Sequence, residues 1–355
     1  MPANPQPEAA SPHAALRAVR RSRRAHTRRT LTVSLGLLAA LAAALCCSLA
    51  YGDLTLPLSD VLAALAGGGT GGADFIVLEL RLPRALTGIL VGVAFGLSGA
   101  VFQTLLRNPL ASPDVIGVSA GASAAAVAAI ALFGLGGAAV SASALAGAVL
   151  AAALIHLLAW RRGVTGYRLV LVGVGVSAVL MSVVSYAMTL SETVVAEQAK
   201  VWLTGSLNGR NWSHAVPLLV ALAVLLPLTA AGSRALKVLQ LGDDTATGLG
   251  ARTERARALL LLCAVALVGV ATAAAGPVGF VAFVAGPLAR GLLRRDDPAL
   301  VPSALTGALI VLASDFVAQH LLGSQQFPVG VVTSVVGAPY LLWLLARSNR
   351  GGRGG

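Results

Sequence analysis

The chain has 355 residues, of which 57% are hydrophobic and only 11% charged, with a formal net charge of +12 at pH 7. Soluble domains carry about a quarter charged residues, so a soluble fold is excluded. The basic excess could point to nucleic acid, but its placement assigns it to the ends of membrane spans. The three cysteines, Cys46, Cys47 and Cys263, lie inside apolar runs without metal-ligand spacing and read as packing residues.

Residues 1–30 hold no apolar run but seven arginines: Arg17, Arg20, Arg21, Arg23, Arg24, Arg28 and Arg29. The reading is a disordered basic tail meeting the anionic lipid of the cytoplasmic leaflet. A signal peptide fits less well, because Leu31–Ala50 is long enough to span and no small-x-small cleavage site follows cleanly. The paired arginines lack twin-arginine context. An organellar transit peptide is the remaining alternative, since only Glu8 is acidic there.

After Leu31–Ala50, apolar windows fall at 84–107, 115–133, 136–160, 167–190, 214–231, 256–275, 277–292, 300–321 and 329–346. Each approaches the ~20 residues that a helical span needs, which makes ten crossings. The window 277–292 is the weakest, being short and interrupted by Gly276-Pro277 and Gly286-Pro287; such broken helices persist only inside protein or along a cavity. With the N-terminus inside, ten crossings place 22 of the 26 Lys and Arg in the cytoplasm and leave only Arg81, Arg84, Lys200 and Arg210 outside. One crossing more or fewer would spoil that asymmetry, so the positive-inside rule supports an all-α polytopic membrane protein of about ten transmembrane helices with both termini cytoplasmic. Residues 31–347 form the membrane domain, and 348–355 read as a disordered tail.

Two segments neither span nor read as ordinary loops. Tyr51–Glu79 is polar enough to lie on the outer surface. Arg234–Thr253, RALKVLQLGDDTATGLGART, alternates helix formers with glycine and predicts two short cytoplasmic helices around Gly242 and Gly248.

Arg81–Ala122 holds the densest pattern in the chain. Arg81 and Arg84 flank Leu82-Pro83, then Gly88, Gly92 and Gly96 recur every four residues, with Ser98 and Gly99 behind. Residues four apart share one helix face, and so bare a face lets another helix approach backbone to backbone. The partner helix lies either within the subunit or across a dimer. Arg81 and Arg84 read either as snorkelling helix-end residues or as a docking site for surface carboxylates. Asp315, in ALIVLASDFVAQHLL, is the deepest ionisable residue. It fits a buried, hydrogen-bonded structural aspartate better than a proton carrier, because a lone carboxylate makes a poor relay. His156 reads as a packed or pore-facing residue. No Gly-x-x-x-x-Gly-Lys-Ser/Thr, His-Glu-x-x-His, Cys-x-x-Cys or Gly-x-Ser-x-Gly occurs, so the chain lacks its own phosphate-cradling loop and any recognisable catalytic cluster.

Six ordered blocks carry a family resemblance: RLPR at 81–84, SGAVFQTLLRNPLASPDVIGVSAGA at 98–122, WLTGSLNG at 202–209, LGDDTATGLG at 241–250, AGPVGFVAFVAG at 275–286 and FPVGVVTSVVGAPYLLWLL at 327–345. The chain resembles the permease subunits of bacterial ABC importers for iron–siderophore complexes, haem and cobalamin, the FecCD type. GSLNG, GDDTA and the pattern around Asp315 look most like the ferric enterobactin kind.

The resemblance implies a pathway between two permease subunits, identical or homologous. Two ATPase subunits, which use ATP and Mg, sit below, and an extracytoplasmic substrate-binding protein docks above. No cofactor, metal or catalytic residue is implied in this chain, and no nucleic acid. Arg81 and Arg84 match arginines that dock the binding protein. Asn108, Pro109 and Leu110, with Thr165, Gly166 and Tyr167, match the cytoplasmic gate. Leu241, Gly242, Asp243, Asp244, Thr245, Ala246 and Gly248 match the helices that couple to the ATPase, and Gly173, Gly175, Ser177 and Ser182 are candidates for the pathway lining. The chain departs from the pattern at Gln319, where some members carry a third docking arginine, and at Leu288, where relatives often have histidine. The rival readings are a proton-coupled secondary transporter using Asp315 and a multi-pass membrane enzyme.

Overall fold

The computed structural model describes residues 12–69, 71–160, 166–240, 242–248, 253–295, 297–321 and 326–351. The chain enters through α1 (Pro12–Ala50), crosses a short surface stretch with α2 (Leu58–Leu65) and α3 (Gly71–Asp74), and runs as a π-helix over Phe75–Arg81 into α4 (Leu82–Leu105). A 3₁₀ turn, Pro113–Ile116, leads to α5 (Val118–Ala131), α6 (Ala138–Ala159) and α7 (Gly166–Leu190). Then follow α8 (Thr193–Thr204), α9 (Trp212–Leu239), the short α10 (Asp243–Gly248), α11 (Thr253–Ala275), α12 (Val281–Leu293), α13 (Leu300–His320) and α14 (Val329–Gly351). Among the described residues, eight helices are long and apolar enough to span a bilayer, and α5 and α12 are shorter apolar helices. Together they match the ten apolar windows of the sequence, eight of them at full spanning length.

Four expectations change. The basic segment read as disordered is helical from Pro12 onward. Alanine and arginine are strong helix formers, and no breaker separates Pro12 from Leu31. Arg29 Nη2 also donates to the Leu292 carbonyl at 3.1 Å, and His26 Nε2 lies 2.8 Å from Asp297 Oδ2. At the other end, α14 continues through Gly351, while 352–355 lie outside the described residues. Helix α8 was not expected, because Glu197 and Lys200 dilute its apolar pattern. Finally, α12 runs unbroken through Gly286-Pro287; the interruption lies before it, where Phe280 adopts a left-handed conformation at φ 66°.

Helix α4 is the axle. In the continuous helical stretch Gly71–Leu105, 83% of the most apolar window is buried, against 17% for α7, so α4 is enclosed by protein while α7 presents most of its surface outward. The glycine stripe explains the enclosure. A Cβ at Gly92 would collide with the Gly307 carbonyl and the Ala308 backbone, and one at Gly96 with the Ser303 carbonyl. Gly99 faces the Ala282 backbone of α12 in the same way. The stripe is therefore a contact within the subunit, between α4 and α13 and continuing onto α12. Phe95, Val91 and Ala94 pack beside it with Leu267, Val268 and Ala271 of α11 in the main apolar cluster.

Gly307→Val should therefore fail by steric overlap rather than by lost burial. We expect a loss of about 1–3 kcal/mol or more, read as a lowered unfolding midpoint of the purified protein in detergent, whereas Gly175→Val, whose Cβ would meet nothing within 4 Å, should melt as wild type.

Candidate functional site

At one end of α4, Arg84 is held by two side chains through three hydrogen bonds. Its Nε donates to Asp315 Oδ2 at 3.0 Å and its Nη2 to Asp315 Oδ1 at 2.8 Å; Nη2 also donates to Asn208 Oδ1 at 2.6 Å. The fork-on-fork geometry is the strong form of the arginine–carboxylate pair. Gln319 Nε2 completes Asp315 by donating to Oδ2 at 2.7 Å. Asp315 is thus the buried, hydrogen-bonded structural residue, and Gln319, one helical turn on, serves it. The pair is largely sealed, with side-chain exposures of 13% for Arg84 and 4% for Asp315.

Arg81 does different work. Its Nη1 donates to the carbonyls of Leu49 (2.7 Å) and Ala50 (3.1 Å), and its Nη2 to Leu54 O. It closes the C-terminus of α1, where orphan carbonyls and the negative end of the dipole both favour a cation. A polar cavity of about 230 Å³ opens beside it, lined among others by Tyr51, Asp53, Arg81, Gln319 and His320.

At the opposite end of α4 the helix stops in a Schellman arrangement. Asn108 N donates to Gln103 O and Arg107 N to Thr104 O, with Arg107 left-handed at φ 48° where glycine is usual. Asn108 Oδ1 then accepts from Leu110 N at 2.9 Å, turning the chain at Pro109. Asn108 and Pro109 are exposed and Leu110 half-buried. Arg107 Nη2 reaches across to Leu239 O at 2.9 Å, tying this turn to the end of α9. Among the described residues one short helix, α10, follows, because 234–239 prolong α9 rather than forming a helix of their own. Gly242 (φ 109°) makes the turn, Asp243 and Asp244 start α10, and Thr245 and Gly248 are exposed. Ala246 is buried there, in a cluster with Leu105, Leu236, Leu239 and Leu260. Gly166 and Tyr167 open α7, while Thr165 and Leu241 lie outside the described residues.

Between the two ends lies a cavity of about 700 Å³ bounded by the 112–119 segment, the end of α8, 277–283 and α14. Its polar lining comes from Ser112, Asp114, Ser119, Thr204 and Ser334, none of which the sequence singled out. Asp114 accepts from Ser119 Oγ at 2.7 Å and from Ser112 Oγ at 3.2 Å. Burial pushes its carboxyl pKa up, opposed by those two hydrogen bonds. The four α7 candidates divide between two faces. Gly173 packs against Ile116 and Ser177 against Gly117, whereas Gly175 faces open space and Ser182 is exposed. None of the four borders this cavity.

One residue that carried no motif signal links the cavity wall to α4. Pro287 cannot donate to the carbonyl four residues back, and Gln103 Nε2 supplies the missing donor to Phe283 O at 3.0 Å. Gln103 Oε1 in turn accepts from Arg290 Nη2 at 2.7 Å. This lets α12 continue unbroken through Gly286-Pro287.

Ten packed apolar helices, a largely apolar cavity with a few polar side chains in its wall, and a short polar helix packed at the end of the bundle through Ala246 fit a membrane transport subunit. The chain belongs to the FecCD transport family, whose model matches residues 40–347. It is 41% identical over 324 residues to the ferric enterobactin transport system permease protein FepG of Escherichia coli (strain K12), covering 91% of this chain and 98% of that one. It is 38% identical to the iron(3+)-hydroxamate import system permease protein FhuG of Bacillus subtilis (strain 168), covering 85% and 93%. An inward-facing structure of a metal-chelate type ABC transporter superposes with a TM-score of 0.78 at 28% identity, over 89% of this chain and 99% of that one.

Two stability tests follow. Asp315→Ala strands a buried guanidinium and should cost about 3–5 kcal/mol, while the apolar pair Arg84→Met with Asp315→Leu should recover most of it; thermal unfolding of the three proteins checks both. Gln103→Leu leaves Phe283 O and Arg290 each without this partner and should cost about 1–3 kcal/mol in the same assay.

Proposed function

We propose that the chain is the permease subunit of an ATP-driven importer that carries a ferric siderophore across the cytoplasmic membrane. The observation that carries this is the family match over 40–347 together with relatives named for ferric enterobactin and ferric hydroxamates. In this reading the subunit pairs with a second permease, and ATPase subunits bind from the cytoplasm. The chain contributes no cofactor; ATP and Mg are consumed by the partner. The Arg84 end faces outward and the Asn108–α10 end faces the cytoplasm, as the distribution of basic residues favours. An extracytoplasmic binding protein delivers the substrate to the face bearing Arg81 and Arg84.

Mechanism follows from which parts are rigid. ATP-driven closure of the ATPase pair moves α10, which is joined to the α4 turn through Ala246 and through the Arg107–Leu239 contact. The exposed Asn108-Pro109 turn and Leu110 then open or shut the cytoplasmic exit, with Gly166 and Tyr167 at the start of α7 as the opposing edge. The cavity wall offers scattered hydroxyls rather than convergent charges, which suits a bulky chelate that must leave again. Selection of the chelate then rests mainly with the binding protein. Asp315 does not serve as a proton carrier here, because both of its oxygens are engaged by Arg84 and Gln319.

Uptake by proteoliposomes tests the reading. Ferric enterobactin import should require the ATPase subunits and internal ATP, and should be unaffected by collapsing the proton gradient. Import driven by a proton gradient alone, without ATPase subunits, would overturn it. Charge reversal of Arg81 and Arg84 to Glu should weaken capture of the binding protein by the assembled transporter, measured by surface plasmon resonance.

A further inference from the structure

The turn joining α8 to α9, Gly205–Asn211, is used by neither the docking face nor the cytoplasmic gate as described. It is stiff within itself. Asn208 N donates to Ser206 Oγ at 3.1 Å, Arg210 N to Leu207 O at 3.2 Å and Arg210 Nε to Ser206 O at 3.3 Å. Gly205 opens it at φ 78°, and Gly209, at φ 69°, lies within the stretch that the Arg210 N–Leu207 O bond closes. Leu207 is fully buried against Gly88 of α4.

One flank of this turn touches Arg84, through the 2.6 Å hydrogen bond to Asn208 Oδ1. The other flank is fastened to the wall of the cavity. Ser206 N donates to Ala275 O at 2.8 Å and Gly330 N to Gly205 O at 3.1 Å. A Cβ on Gly330 would collide with the Thr204 carbonyl, and one on Gly205 with the Pro277 carbonyl. Three chain segments thus meet backbone to backbone here, and Thr204, Pro277 and Gly330 are themselves cavity wall.

We propose that Asn208 is a positioning residue that couples occupancy of Arg84 by an outer partner's carboxylate to the position of this cavity wall. The inference rests on the docking role given to Arg84 above. Asp315 takes the Nε–Nη2 edge of the guanidinium and Asn208 the remaining Nη2 hydrogen, while Nη1 has no hydrogen-bond partner among the described residues. A carboxylate arriving at Nη1 draws on the same planar group that Asn208 holds. A turn bonded this closely within itself passes that displacement to Gly205, and so to Gly330 and Pro277. The partner shifts the wall only in so far as it binds the two arrangements differently, and the Asn208 link is what makes the arrangements differ.

The test uses the full transporter, with ATPase subunits, in lipid nanodiscs and proteoliposomes. Its probe is a substrate-binding protein that the wild-type transporter captures, loaded with ferric enterobactin and separately with a ferric hydroxamate. Asn208→Ala should capture the binding protein within about twofold of wild type but import about tenfold more slowly, within the range for residues along a coupling route. Asn208→Asp keeps an acceptor for Arg84 and should restore import to within about twofold. If the alanine variant does not assemble, Asn208→Ser, too short to reach Nη2, takes its place with the same expected split. Wild-type import by the alanine or serine variant overturns the proposal. So does loss of capture along with import, which would make Asn208 part of the docking face, and so does an assembled Asn208→Asp that fails like alanine. Arg84→Gln separates the two levels: unchanged capture overturns the docking reading itself, whereas weakened capture leaves only the coupling in question.

Discussion

The approach of α4 to α13, backbone against backbone at Gly92, Gly96 and Gly307, is the constraint from which the rest of the architecture follows. Lipid is as apolar as leucine, so burial of side chains gives helices in a bilayer little reason to associate. Close approach substitutes many short-range contacts for that missing force, and only glycine permits it at these three positions. Once α4 and α13 are this close, their register is fixed at one end by the Arg84–Asp315 fork. At the other end, Gln103 ties α4 to α12.

The polar side chains of α4 and its two ends share a task. Arg81 donates to carbonyls of α1, Ser98 Oγ to Ala264 O of α11 at 2.7 Å, Gln103 to Phe283 O of α12, and Arg107 to Leu239 O of α9. Four different helices are held by donors directed at their main-chain oxygens. In a medium without water, an unpaired carbonyl is costly; these contacts satisfy helix ends and a proline break while fixing where each helix sits. On the proposed reading function is hung on this axle, since Arg81 and Arg84 at one end and the Asn108-Pro109 turn at the other continue the same helix.

The α10 segment and the 205–211 turn are attached in different ways. Ala246 packs α10 into the apolar cluster with Leu105, Leu236, Leu239 and Leu260. The turn is held by main-chain hydrogen bonds, by the fully buried Leu207 and by the Asn208 link to Arg84.

The sequence by itself determined the crossings, because twenty-residue apolar runs and the sidedness of arginine are one-dimensional signals. It also exposed the glycine stripe, the Asn108-Pro109-Leu110 turn and the polar segment that holds α10. What it could not decide was pairing. Whether the stripe faced a neighbour in the same subunit, whether Asp315 was a carrier or a counter-ion, and which face of α7 carried Gly173 and Ser177 depend on residues distant in the chain meeting in space. Helix α8 and the continuity of α12 through Pro287 escaped for the same reason. The first is a half-polar helix that packing sustains. The second depends on Gln103, a residue with no motif of its own, whose amide reaches the one carbonyl that Pro287 leaves without a donor. Pattern along the chain set where the helices lie, and the need to pair every buried polar group set how they are joined.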